Sequence, residues 1–199
     1  MYCVRFKELS LDHEFEQYQI GFLDEYFRLT QQTGIPIPKN YLLTSKVVGV
    51  IDAAGAMVAG YILNAKTPFR LLDFVPETAR ASLALPDKRS WEDCVEVTCV
   101  WKVPNRVSHL FMTTRFWPRV QLEILATRKH LMIGHTQNQK LNQFYTWANP
   151  ITIYQGVSSF GLPSHLFVYR RWQTVFCYVM LYLFETPQRF LKQRLKREK

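Results

Sequence analysis

No two of the four cysteines, Cys3, Cys94, Cys99 and Cys177, form a CxxC pair. That spacing argues against a zinc site or a disulfide framework, and free thiols fit a reducing compartment. The opening stretch MYCVRFKELS contains no apolar signal-peptide core. The longest uncharged apolar run, WQTVFCYVMLYLF, covers only 172–184, too short to span a bilayer. The expected location is therefore the cytoplasm. Internal repeats and low-complexity stretches are missing, as is any basic-aromatic interleaving typical of RNA or DNA binders. No Ser-His-Asp or Cys-His signature for covalent catalysis stands out either.

What is present reads as one globular chain. Hydrophobic residues make up 48% and charged residues 21% of 199, enough for a single sizeable core. We expect one domain over 1–184 and a basic helix or tail over 185–199. Aromatics reach 15%, which fits a large apolar cleft as well as a core. The net charge of +9 is compatible with a simple basic surface. It also suits an acidic partner, whether nucleic acid, anionic lipid, an acidic carrier protein or a phosphorylated cofactor.

Periodicity gives an element order. Residues 2–9 alternate as a strand, and Phe15, Tyr18, Phe22, Tyr26 and Leu29 recur at helical spacing over 10–34. Residues 46–63 read as a hairpin around DAAG, with Asp52 and Gly55 at the ends of a type I turn. A proline-containing excursion, 64–90, includes a short helical stretch, ETARASLAL, and would run over the surface or a site mouth. Residues 94–103 form a strand, 106–129 a long helix in which Pro118 should make a kink or mark a restart, and 130–137 a strand. A helix over 138–147 and a strand over 151–157 follow. One more strand lies in SHLFVYRRW or in TVFCYVMLYL, and the second is preferred for its length and β-rich composition. Thr186 and Pro187 open a helix in the tail. A hairpin early and strand-helix-strand units late predict an α/β (α+β) chain with a mixed, mostly antiparallel central sheet flanked by helices.

This order resembles the GCN5-related N-acetyltransferase (GNAT) superfamily. Asn138, Leu141, Phe144 and Tyr145 stand at the spacings of a motif common in that family, and VAGY at 58–61 is similar to its third strand. CVEVTCVW, with Glu96 and Thr98, resembles the fourth strand of the acyl-homoserine-lactone-synthase-like branch, although Cys99 replaces the usual following Arg. One departure concerns the phosphate loop. Arg106 matches its leading position, but His109 and Phe111 stand where the family has glycines. Glycines let backbone N–H groups approach a pyrophosphate, so the donor would be held differently or not at all.

The resemblance implies an N-acyltransferase fold. It also implies acyl transfer from an acyl-CoA or acyl-carrier-protein thioester to an amine, without a metal. Tyr145 would protonate the leaving thiolate, being a phenol that keeps its proton at neutral pH; otherwise it closes its helix onto the sheet. Glu96 would be the base, its pKa raised by burial in an apolar strand, or else a structural carboxylate paired with a Lys or Arg. On a regular strand its same-face neighbours would be Cys94, Thr98, Val100 and Lys102, with Cys99 on the opposite face. Thr98, Val100 and Lys102 would offer backbone N–H groups to the donor if 94–103 splays from 130–137, as in the family. Asn138 would bond the cofactor arm or cap its helix, the cap being favoured. A structural role is likewise favoured for His135.

Arg106, Arg115 and Arg119 would bind phosphates or an acidic carrier, or form a solvated helix face. The tail is a solvated basic helix or an interfacial helix giving peripheral contact with anionic membrane. The rival to an enzyme is an inactive module of the same fold. It would hold an acidic protein, nucleic acid or membrane on its basic face, with nucleic acid disfavoured by the lack of a motif.

Overall fold

The computed structural model describes residues 5–9, 15–30, 37–136, 149–176 and 179. A single mixed sheet organises them. Its strands are β1 (Arg5–Glu8), β2 (Lys46–Ile51), β3 (Met57–Asn64), β4 (Cys94–Lys102), β5 (Leu131–Thr136), β6 (Ile151–Val157) and β7 (Pro163–Arg170). They lie in the order β1-β2-β3-β4-β5-β7-β6. Every neighbouring pair is antiparallel except β4 and β5. A parallel pair needs a crossover. Here it is α4 (His109–Phe111) running through a π turn, Met112–Phe116, into α5 (Trp117–Ala126). The remaining helices are α1 (Phe15–Thr30), α2 (Lys39–Thr44) and the short α3 (Glu77–Arg80).

The β2–β3 hairpin closes as its residues dictate. Gly55 N–H donates to the Asp52 carbonyl at 3.0 Å, and Asp52 Oδ1 accepts from Ala54 and Ala56 N–H. Gly55 has φ +82, a conformation that costs a residue with a Cβ.

The core occupies both sheet faces. Val48, Val50, Tyr61 and Val95 pack against Phe116, Val120 and Ile124 of the crossover helix. On the other face Val47, Ile62 and Trp101 meet Phe22 and Tyr26 of α1. Beside them Cys94, Leu131 and Ile133 pack with Phe69, Leu71 and Phe74.

Four expectations are corrected or narrowed by the structure. The last strand among the described residues is 163–170, within the first of the two candidate stretches, and residues 171–176, which overlap the start of the preferred stretch 174–183, are helical. Both segments are apolar and β-rich, and 163–170 is the one that pairs with β5 on one side and β6 on the other among the described residues. The excursion after β3 is not purely superficial, because Phe69, Leu71, Phe74 and Val75 are buried. Pro118 marks a restart of the helix rather than a kink within it. The π turn precedes it and Pro118 falls in the first turn of α5, where its missing N–H costs least.

The fourth correction matters most. Thr98 faces Ile62 and Trp101 faces Gly60, so Cys99 and Val100 together oppose Tyr61. This is a β-bulge, with Cys99 at φ 51. The extra residue resets the alternation. Trp101, rather than Val100, joins Thr98 and Glu96 on the α1 face, and Cys99 packs on that face as well. Val100 turns to the crossover-helix side.

Candidate active site

Strands β4 and β5 pair only at Cys94–Leu131, Val95–Met132 and Glu96–Ile133. Beyond that point β4 continues to Lys102 along β3, and β5 continues to Thr136 along β7. The bulge at Cys99–Val100 supplies the cause, because an extra residue bends a strand and raises its twist. The result is a wedge between two central strands, whose facing edges are not paired with each other beyond Glu96 and Ile133. Val103 N–H donates to Val58 on β3, so the Lys102 N–H lies on the opposite edge, toward the wedge. Thr98 is buried, Val100 is half-buried and Lys102 is exposed. These three positions thus run from the depth of the wedge to its mouth.

Glu96 sits where the two strands part and is 0% exposed. Its carboxylate is not paired with a Lys or Arg side chain among the described residues. Oε1 accepts from Arg70 N–H at 3.0 Å and from Asn64 Nδ2 at 3.4 Å, and Oε2 accepts from Leu71 N–H at 3.1 Å. The Tyr41 hydroxyl faces the same carboxylate without closing a well-formed hydrogen bond. Burial raises the Glu96 pKa, and these donors oppose the rise. The carboxylate therefore fastens the 3₁₀ turn Arg70–Phe74 onto β4 and has the protonation balance of a candidate base.

Around it lie groups that burial keeps neutral. Desolvation pushes the Tyr26, Tyr41 and Cys99 pKa values up. His135, on β5 just beyond the last β4 pair, stacks on Phe74 with ring centroids 4.2 Å apart and bonds Ser164 Oγ through Nε2 at 2.8 Å. Burial, then the charges of Arg70 and His165, push its pKa down to about 4. It is a neutral, well-partnered histidine. Next to it Gly134 fits against Phe167, since a Cβ there would lie 2.2 Å from the ring.

The β4–α4 loop places the remaining candidates. Arg106 forms an ion pair with Asp52 of the β2–β3 turn, and its side chain is 50% exposed against 8% for Asp52. Ser108 caps the helix by accepting from Phe111 N–H at 3.0 Å. Phe111 turns onto Phe6, with centroids 5.6 Å apart, so its ring lies against the core. Arg119 covers the Phe6 ring and bonds Glu123 at 3.0 Å, while Arg115 is exposed. Asn138, Tyr145 and the tail 185–199 lie outside the described residues.

The residue that sequence reasoning passed over is Arg70. It is 3% exposed, and its Nε and Nη2 have no hydrogen-bond partner. Its signal was a lone cation inside the apolar stretch PFRLLDF.

No family model matches the sequence, and no curated protein matches it. Solved structures do. A CoA-dependent acyl-homoserine lactone synthase, BjaI, with SAM and isopentyl-CoA, superposes with a TM-score of 0.59 at 12% identity, over 91% of this chain and 90% of that one. FeeM, an N-acyl amino acid synthase from uncultured soil microbes, gives 0.57 at 12%, over 92% and 99%. An N-acetyltransferase from Staphylococcus aureus Mu50 gives 0.51 at 8%, over 86% and 99%. The chain has the GNAT fold that these acyltransferases share.

Proposed function

We propose that this chain is an N-acyltransferase that moves an acyl group from a CoA or acyl-carrier-protein thioester to an amine by direct attack. The parting of β4 from β5 after Glu96, driven by the bulge at Cys99–Val100, carries this reading. An extended thioester arm presents amides at strand-like spacing, and the wedge offers strand edges not paired with each other to receive them. Residues Thr98, Val100 and Lys102 form the donor wall. Bulk at position 111 is less of an obstacle than the missing glycine implies, because that ring packs on Phe6.

The chemistry balances without an enzyme-bound intermediate. The amine loses a proton to Glu96, directly or through a water, and its nitrogen attacks the thioester carbonyl. Backbone N–H groups of β4 stabilise the oxyanion. The C–N bond forms, the C–S bond breaks, and the thiolate takes a proton from Tyr145, an assignment that rests on the motif Asn138–Tyr145 alone. The donor is CoA, or an acidic carrier protein that the +9 charge would attract. The tail may be tested separately as a peripheral membrane contact by vesicle sedimentation.

A second reading, a non-catalytic module that holds an acidic partner, is favoured by one observation: Arg106, the leading residue of the phosphate loop, is engaged by Asp52. The deciding experiment incubates the protein with CoA and carrier thioesters of graded chain length and a mixture of amines. Free thiol release and product mass are followed. Thiol release that needs an amine is expected, and Tyr145→Phe should slow it while leaving donor binding intact. No release with any donor, together with salt-sensitive binding to acidic proteins or nucleic acid, would establish the module instead.

A further inference from the structure

Arg70 is the only buried arginine or lysine among the described residues. Its backbone N–H is held by Glu96, but its guanidinium is not. No carboxylate among the described residues lies within ion-pair distance of it. Phe74 lies under the cation at 5.3 Å, and the Tyr26 hydroxyl interacts with it. The two nitrogens left without partners, Nε and Nη2, form one edge of the planar group. Elsewhere in this molecule the same edge does a recognisable job. Arg170 uses Nε and Nη2 to grip the two oxygens of Asp87 at 3.1 Å each.

The described residues around it offer no anion to fill that edge. Tyr26 and Cys99 are held protonated by burial, and His135 is neutral near pH 7. Glu96 is committed to Arg70 N–H, Leu71 N–H and Asn64. A buried cation left with unpaired donors is costly, so the counter-charge has to come from a ligand. The location says which ligand. Arg70 is tied through its backbone N–H to Glu96, where β4 and β5 part, and its cation lies over Phe74, which stacks on His135 of the diverging part of β5, so it stands beside the point where the wedge opens. Two further unpaired donors, Tyr41 Oη and Trp101 Nε1, belong to the core cluster on the same sheet face.

We propose that the acceptor amine carries a carboxylate, and that Arg70 binds this carboxylate through its Nε–Nη2 edge. The acceptor class is thus that of amino acids. A two-point grip suits a planar carboxylate, and holding it beside Glu96 would bring the neighbouring amino group to the base. The acceptor role rests on the acyl-transfer reading, whereas the carboxylate site does not.

The test is a thermal-shift titration of the full chain with free amino acids and with their carboxamides, run beside the thiol-release assay. Variants Arg70→Gln and Arg70→Lys are included. At least one amino acid should stabilise the wild type where its carboxamide does not. Its affinity should fall at least about 30-fold in Arg70→Gln, the scale for truncating one side of a buried charge pair, and less in Arg70→Lys. Unliganded Arg70→Gln should melt no lower than wild type, because it loses an unpaired charge.

The proposal is overturned if no amino acid shifts the melt, if amide and acid act alike, or if Arg70→Gln keeps the shift. It is also overturned if unliganded Arg70→Gln melts several degrees lower, since the guanidinium would then be paired within the fold. Amino-acid stabilisation lost in Arg70→Gln, with no thiol release from any donor, would keep the carboxylate site and end the acyl-transfer reading.

Discussion

Glu96 combines an anchor with a candidate base, and the two roles can be separated. Its raised pKa means that a base there becomes competent only above the ordinary carboxylate range. We expect kcat/KM to climb with pH through that raised value. Glu96→Gln should remove this limb and lower turnover by ~10²–10⁴-fold, the usual contribution of a positioned base. The same change sets an amide N–H₂ against a backbone donor and costs ~1–3 kcal/mol, so rates must be compared well below the melting transition. An unchanged pH profile would leave only the anchor.

His135 gives a stability readout of opposite sign to that of Glu96. Burial holds its native pKa at about 4, below the ordinary histidine value of 6.5. Between those values the unfolded chain binds a proton that the native state refuses. The stability it contributes is present above pH 6.5 and is lost as pH falls toward 4. The loss is at most ~3 kcal/mol. Melting curves should therefore show wild type losing more stability than His135→Gln across that window. Parallel curves for the two proteins would refute the assignment.

The bulge is the element on which the wedge depends. Deleting Cys99 would leave Thr98 opposite Ile62, Val100 opposite Tyr61 and Trp101 opposite Gly60, the pairs that flank it now. No side chain other than that of residue 99 would need to change faces. The expected protein is folded, within ~1–3 kcal/mol of wild type for the lost small buried group. Its fourth strand should be straighter and its donor binding abolished, as scored by acyl-CoA thermal shift. A deletion variant that still binds and turns over thioester would show that the bulge does not hold the wedge open.

Charge acts over the molecule as a whole. A surface of net +9 speeds encounter with an acidic carrier protein and does so less as salt rises. If a carrier is the donor, its KM should increase several-fold between about 0.05 and 0.3 M salt, with the Debye length shrinking accordingly. The KM for a small acyl-CoA should change less. Equal salt responses would remove carrier steering from the account.

Much of this architecture is written in local pattern. The alternation of 46–63 around Asp52 and Gly55, the apolar strand 94–103 and the helical spacing after Arg106 are near-neighbour properties, and they fixed the hairpin, the parallel crossover and a mixed sheet. A lone Glu96 in an apolar strand was likewise visible as a buried carboxylate. Three features depended on packing between distant segments. Whether 163–170 or 174–183 supplied the strand between β5 and β6 was decided by which one paired with both, and no period distinguishes two apolar runs. The bulge formed at a cysteine rather than a glycine, so nothing in the local residue types marked it. Arg70 became a buried cation because folding brings it to Glu96, 26 positions away, which pins its backbone to the sheet. Sequence periodicity reports what a segment does with its own neighbours; burial, register and counter-charge are set by partners brought together in folding.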